Sequence, residues 1–136
     1  MRVVLDTNVL ISALISPAGN PATIYNAWER GGFTLLTCDE QLEELRVTLQ
    51  KPKVAELIQP HKAGRLVNQV GRLAELIHKL PNIKRSSDPQ DDYLLALCEE
   101  GKAHFLVTGD KSGLLSLRRH KSTQIISAKE FVNSIE

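Results

Sequence analysis

The chain alternates short apolar runs with longer stretches in which apolar residues recur at helical spacing. Val3, Val4 and Leu5 form a β-branched-rich apolar run that predicts a buried strand, stopped by Asp6-Thr7-Asn8. Val9 to Ile15 is apolar all round and predicts a buried helical segment. Ser16-Pro17-Ala18-Gly19-Asn20 has loop composition, after which Asn20 and Pro21 read as N-cap and first residue of a helix. That helix is predicted to run through Trp28 and to end at Gly31-Gly32. Phe33 to Cys38 predicts a second strand, and Asp39 the cap of a helix whose apolar stripe is Leu42, Leu45 and Leu49. Beyond Pro52, Val54, Leu57 and Ile58 predict a short helix ending near Pro60. Leu66, Val67, Val70, Leu73, Leu76 and Ile77 predict a helix from about Lys62 to Lys79, weakened by Gly71. Asp88-Pro89 opens a helix that runs to Glu100 and closes at Gly101. Phe105, Leu106 and Val107 predict a third strand, ended by Thr108-Gly109-Asp110. A short helix over Leu114–Leu117, a last strand at Ile125-Ile126 and a helix capped by Ser127 and running through Val132 complete the pattern.

Short apolar strands alternating with helices predict a parallel sheet covered on both faces. No internal repeat, low-complexity segment or linker divides the chain, so residues 1–136 read as one α/β domain. Its apolar content of 42% and charged content of 24% are those of a globular protein and exclude disorder throughout. Seventeen Lys and Arg against 16 Asp and Glu leave a net charge of +1. No global field therefore draws the protein to nucleic acid or a membrane, and any phosphate recognition must be local. The N-terminal apolar run is too short for a signal segment, and no stretch approaches the ~20 apolar residues of a membrane span. Cys38 and Cys98 lie in apolar surroundings, far apart in sequence, and read as small buried hydrophobes of a reduced, cytoplasmic protein.

The chemistry lies in the acids. Of six aspartates, Asp6 follows the first strand, Asp110 follows the third, and Asp88, Asp91 and Asp92 crowd the first turn of one helix. Ligand sites in open parallel sheets form outside the carboxyl ends of the strands, so these acids can share one rim. Each has a structural alternative: Asp88 before Pro89 is a good N-cap, Asp91 and Asp92 suit a helix dipole, Asp110 suits a turn, and Asp6, harder to explain directly after three apolar strand residues, can cap the following helix. Jointly they are costly without a cation, because gathered carboxylates repel. Mg²⁺ or Mn²⁺ takes such oxygen donors. The histidines His61, His78, His104 and His120 lack ligand spacing and read as surface or helix-face residues, which makes zinc a poor fit. On a continuous helix Asp92 shares a face with Leu95, Ala96 and Glu99 and points toward the sheet rim, while Asp91 faces elsewhere. Glu43 and Glu44 flank the Leu42-Leu45-Leu49 stripe, and periodicity does not choose between them.

These segments resemble PIN-domain nucleases. Val3-Val4-Leu5-Asp6-Thr7-Asn8-Val9-Leu10 is similar to the family's opening, and Leu42-Glu43-Glu44-Leu45 with Leu49-Gln50-Lys51-Pro52-Lys53 to its second acidic motif. Asp88-Pro89-Gln90-Asp91-Asp92-Tyr93-Leu94-Leu95-Ala96 is similar to the third, and Leu106-Val107-Thr108-Gly109-Asp110-Lys111 to the fourth. The ending Ile125-Ile126-Ser127-Ala128-Lys129-Glu130-Phe131 extends the likeness over nearly the whole chain. The nearest branch is the VapC-like toxins of prokaryotic toxin–antitoxin pairs. The resemblance implies a three-layer α/β/α sandwich around a central parallel sheet of four to five strands. It implies a metal-dependent ribonuclease holding one or two Mg²⁺ or Mn²⁺ ions on Asp6, Glu44, Asp92 and Asp110, the residues also expected to be catalytic. Glu44 is preferred over Glu43 because it directly precedes Leu45, as in the family pattern. Asn8 and Thr108 match supporting polar residues, and Asp88 and Asp91 match acids common in this branch. Many relatives carry a further acid at the position of Ser112, which bears on the ligands of a second metal.

The implied reaction is metal-assisted hydrolysis of an RNA phosphodiester, leaving 5′-phosphate and 3′-hydroxyl ends. Ser12, Cys38 and Cys98 lack a base partner recognisable in sequence, which argues against a covalent nucleophile. Lys84, Arg85, Lys111, Arg118 and Arg119 are the candidate substrate-binding cations, each equally well explained as solvated surface. Other phosphotransfer enzymes that place Asp after the first strand need a second acid nearby, and Asn8 stands there instead. The competing reading from outside enzymology is a catalytically inactive module of the same fold that binds RNA or a protein partner. An antitoxin partner and a homodimer are implied by the resemblance alone.

Overall fold

A six-stranded sheet runs through the centre of the computed structural model, which describes residues 1–135. The strands are β1 (Arg2–Leu5), β2 (Thr34–Thr37), β3 (Glu75–Leu76), β4 (Phe105–Val107), β5 (Arg119–His120) and β6 (Thr123–Ile126). Their spatial order is β3-β2-β1-β4-β6-β5. Every pairing is parallel except that of β5 with β6. The sheet is therefore mixed and two strands wider than the shorter expectation, because the two-residue edge strands β3 and β5 carry no periodicity of their own. β1 is central, pairing Val3 with Leu35 on one side and Leu5 with Val107 on the other.

The helices are α1 (Thr7–Ile15), α2 (Asn20–Glu29), α3 (Asp39–Leu49), α4 (Pro52–Ala55), α5 (Pro60–Leu73), α6 (Asp92–Gly101), α7 (Leu114–Leu117) and α8 (Ala128–Ile135). The strand period of two sends Val3 and Leu5 to one face and Val4 to the other. Val3 and Leu5 join a core built with α1, α2, α3, α5 and α8, through residues such as Leu45, Leu66 and Phe131. Val4 joins a second core with Leu94, Leu95, Leu97 and Cys98 of α6 and Leu114 of α7. These two helical layers on either side of the sheet make the three-layer sandwich. Both cysteines are free and buried, and burial pushes the Cys38 thiol up to about 12.

Several boundaries differ from the sequence expectation: α2 starts at Asn20 with Gly19 as its N-cap, α4 ends at Ala55, and three further differences have local reasons. The helix predicted through Lys79 ends at Leu73: Ala74 turns extended (φ −77°, ψ 154°), and Glu75-Leu76 pairs with β2. Arg2 closes that edge with two bonds to the Glu75 carboxylate, 2.7 and 3.0 Å. Asp39 does not cap α3 with its side chain; Cys38 is the N-cap and Asp39 the first helical residue. The helix predicted from Asp88-Pro89 starts as a 3-10 turn over Pro89–Asp91, and α6 proper begins at Asp92. Asp88 caps that turn by accepting from the Gln90 N–H at 3.0 Å. The final helix is capped as expected, with Ser127 and Glu130 exchanging side-chain-to-backbone bonds of 3.1 Å.

Candidate active site

The chain builds β1, β2 and β3 outward on one side of the sheet, then returns to place β4 on the other side of β1. This reversal opens a crevice at the carboxyl ends of β1 and β4. Asp6 follows β1 directly, and its N–H donates to Val107 O at 2.9 Å, so the ends of the two strands are locked together. The buried Thr108 hydroxyl donates to Asp6 Oδ2 at 2.8 Å and accepts the Asp110 N–H at 3.1 Å. One hydroxyl thus sets Asp6 and the Asp110 backbone relative to each other. Asp6 Oδ1 also accepts from the Asn8 N–H at 3.3 Å, capping α1.

Glu44 reaches the same place from α3. Buried Gln41, one turn earlier, donates to Leu5 O at 2.7 Å and accepts from Thr37 Oγ1 at 2.8 Å, pinning α3 to the ends of β1 and β2. Thr7 and Tyr93, whose hydroxyls lie 3.3 Å apart, each donate to Glu44 Oε1 at 2.5 Å and fix the carboxylate. Burial, and then the Glu44 bond, pushes the Tyr93 phenol far up, so it serves as a neutral donor.

The resulting cavity, about 520 Å³, is lined by Asp6, Thr7, Asn8, Glu44, Thr48, Lys51, Asp88, Asp91, Gly109 and Asp110. Three of the four acids expected to act together, Asp6, Glu44 and Asp110, are here, as are Asn8, Asp88 and Asp91. Asp92 is not. Its Oδ1 accepts the backbone N–H groups of Ser86 (2.8 Å) and Arg85 (3.1 Å), and these bonds hold its carboxyl below the usual range. The expectation assumed a continuous α-helix from Asp88. In the 3-10 turn observed, residues three apart eclipse, so Asp88 and Asp91 project together into the cavity and Asp92 turns away. That Asp-Pro start was the sequence signal for Asp91. Thr48 and Lys51 were legible too, at helical spacing from Glu44. The role of Tyr93 had no sequence signal.

The electrostatics follow from the crowding. Burial raises the Asp6 carboxyl above its ordinary value, Thr108 and Asn8 oppose the rise, and the charges of Glu44 and Asp110 add to it. Asp91 is pushed up to about 6, by burial first and then by Asp6, Asp88, Asp110 and Glu44. The lining donors are carboxylate and hydroxyl oxygens with no histidine or cysteine, which fits a hard divalent cation and not zinc. The acids line the wall without closing on a single point: among the described residues no three metal-binding side chains stand in ligating arrangement.

None of the expected substrate-binding cations lines this cavity. Arg85 instead meets His120 Nδ1 at 2.8 Å, and His120 Nε2 meets Glu99 Oε1 at 3.0 Å. His120 is 4% exposed, a buried strand residue rather than a surface one. Lys84, Lys111, Arg118 and Arg119 are exposed, Arg118 with a left-handed backbone (φ 64°) and Arg119 on the edge strand β5.

Comparison with known proteins agrees with this architecture. Over its full length the chain is 27% identical to an uncharacterised protein of Methanocaldococcus jannaschii, covering 92% of that protein. It shares its fold with a crystal structure of VapBC2 from Rickettsia felis bound to a DNA fragment from their promoter. That match has a TM-score of 0.58 and 16% identity, covering 93% of this chain and 98% of the other. Residues 2–112 match the family model described as PIN domain, and the chain belongs to the PIN domain family.

Proposed function

We propose that the protein is a Mg²⁺- or Mn²⁺-dependent endoribonuclease, the toxin of a toxin–antitoxin pair. The observation that carries this reading is one cavity, at the sheet's reversal point, into which Asp6, Glu44, Asp91 and Asp110 project from four separate segments. Five carboxylates lining one cavity against a single lysine make a cation site, and PIN domains are generally nucleases. Asp6, Asp91 and Asp110 would hold the ion, with Glu44 at its margin or at a second one. A divalent cation, when bound, supplies Lewis acidity toward a phosphodiester and its attacking water.

The chain's own residues set the geometry. Thr108 orients Asp6, the Gly113 N–H fixes Asp110 Oδ1 at 3.1 Å, and Thr7 and Tyr93 orient Glu44. Asp91 stands beside Asp6, Asp88, Asp110 and Glu44, and a bound cation would favour its ionised form. The shared fold with the Rickettsia felis protein supports an antitoxin as partner, and a second copy of the chain follows from the same reading. The whole of residues 1–136 acts as one domain in this account.

The test is cleavage of a single-stranded RNA in Mn²⁺. Wild type and Asp92→Asn should cleave within a few-fold of each other, and Asp6→Asn and Asp91→Asn should lose at least about a hundredfold, as loss of an electrostatic catalytic group does. Activity kept by Asp91→Asn and lost by Asp92→Asn would restore the sequence-based ligand set. RNA bound but uncleaved by the wild type would favour the inactive binding module.

A further inference from the structure

The cavity carries five carboxylates, and Lys51 is the one cation among its described lining residues. An RNA phosphodiester entering it is negative and meets these five carboxylates. Three features single out Lys51 as the group that offsets this. It continues the cavity-facing line of Glu44 and Thr48 at spacings of four and three residues, one face of α3 and its end. Its backbone is fixed: Pro52 holds it extended (φ −64°, ψ 136°), its N–H donates to Thr48 O at 3.1 Å, and its carbonyl accepts from Val54 and Ala55 at 3.0 and 2.8 Å. And it forms no ion pair with any described carboxylate, whereas Arg2, Arg46 and Arg65 each do.

We propose that Lys51 is the positioning residue that receives the substrate phosphate at the acidic cavity. The assignment rests on the ribonuclease reading and adds to it. It predicts effects of opposite sign on the two ligands, because Lys51 attracts phosphate and repels the cation.

The experiment compares wild type, Lys51→Ala and Lys51→Arg of the full chain. For cleavage of a single-stranded RNA in Mn²⁺, Lys51→Ala should raise KM about tenfold with kcat changed by less than about threefold. The slope of log KM against log salt should fall by about 0.7, one phosphate contact on a single strand. Lys51→Arg should recover most of the KM. In calorimetry without RNA, Lys51→Ala should bind Mn²⁺ about threefold more tightly, since a positive charge leaves the acids' side. A merely structural lysine would weaken both ligands or neither, and either outcome overturns the proposal. If the wild type does not cleave, the ribonuclease reading fails, and anisotropy of a fluorescent single-stranded RNA decides on Lys51 separately. Binding weakened about tenfold in Lys51→Ala sustains the assignment; equal binding, or none in either protein, overturns it.

Discussion

Asp91 and Asp92 are adjacent in the chain and in opposite electrostatic states. Asp91 is raised to about 6 by burial and then by like charges, and Asp92 is lowered by two backbone N–H donors. For Asp91 the folded value lies above the ordinary 3.8. The folded state therefore binds the proton more tightly, and this stabilisation is full below about pH 4 and lost as pH rises through 6. At neutral pH without cations the Asp91 charge opposes folding. Asp91→Asn should raise the melting temperature of the metal-free protein at pH 7.5 by about 3–6 °C, allowing for solvent screening, and should give no such gain at pH 4. Thermal melts at the two pH values check this. Asp92→Ala should do the reverse, costing about 1 kcal/mol by freeing the Arg85 and Ser86 amides, as measured by urea denaturation. Residue-level reading of the sequence expected Asp92 at the rim with Asp91 in support, because it assumed a continuous helix; the 3-10 turn puts Asp91 at the cavity instead.

The elements that carry site residues are held by short, specific contacts. Gly113 packs so closely on Asp110 that an added Cβ would stand 1.9 Å from Asp110 Oδ2. Gly113→Ala must swing that carboxylate aside, so cleavage should fall at least about tenfold while far-ultraviolet circular dichroism still reports a folded chain. Gln41→Leu should remove the pin between α3 and β1 and leave Leu5 O and the Thr37 hydroxyl without that partner. A cost of about 1–3 kcal/mol is expected by urea denaturation, with cleavage lowered further through Glu44. The strong elements were legible: the apolar runs of β1, β2 and β4 and the period of α3 announce themselves. The edge strands did not. β3 is two residues taken from an apolar helical period, and β5 joins β6 through Lys121 at φ 53°, a turn conformation that a lysine does not advertise.

Across the whole molecule, the strand order brings the ends of β1 and β4 together and so turns acids 104 positions apart, Asp6 and Asp110, into neighbours across one crevice. A net charge of +1 leaves little general attraction for RNA, so the RNA binding proposed above would depend on this crevice and on salt. No helix among the described residues is long and apolar enough to cross a membrane. Because a bound cation relieves the mutual repulsion of the acids, Mn²⁺ should raise the wild-type melting temperature at pH 7.5 and have little effect at pH 4, where Asp91 is protonated. The most direct measurement is calorimetric Mn²⁺ binding to wild type, Asp91→Asn and Asp92→Asn at pH 7.5. Affinity at least about tenfold weaker in Asp91→Asn and unchanged in Asp92→Asn is the predicted result. Equal affinity in all three, or a loss confined to Asp92→Asn, would contradict the assignment of this cavity as the cation site.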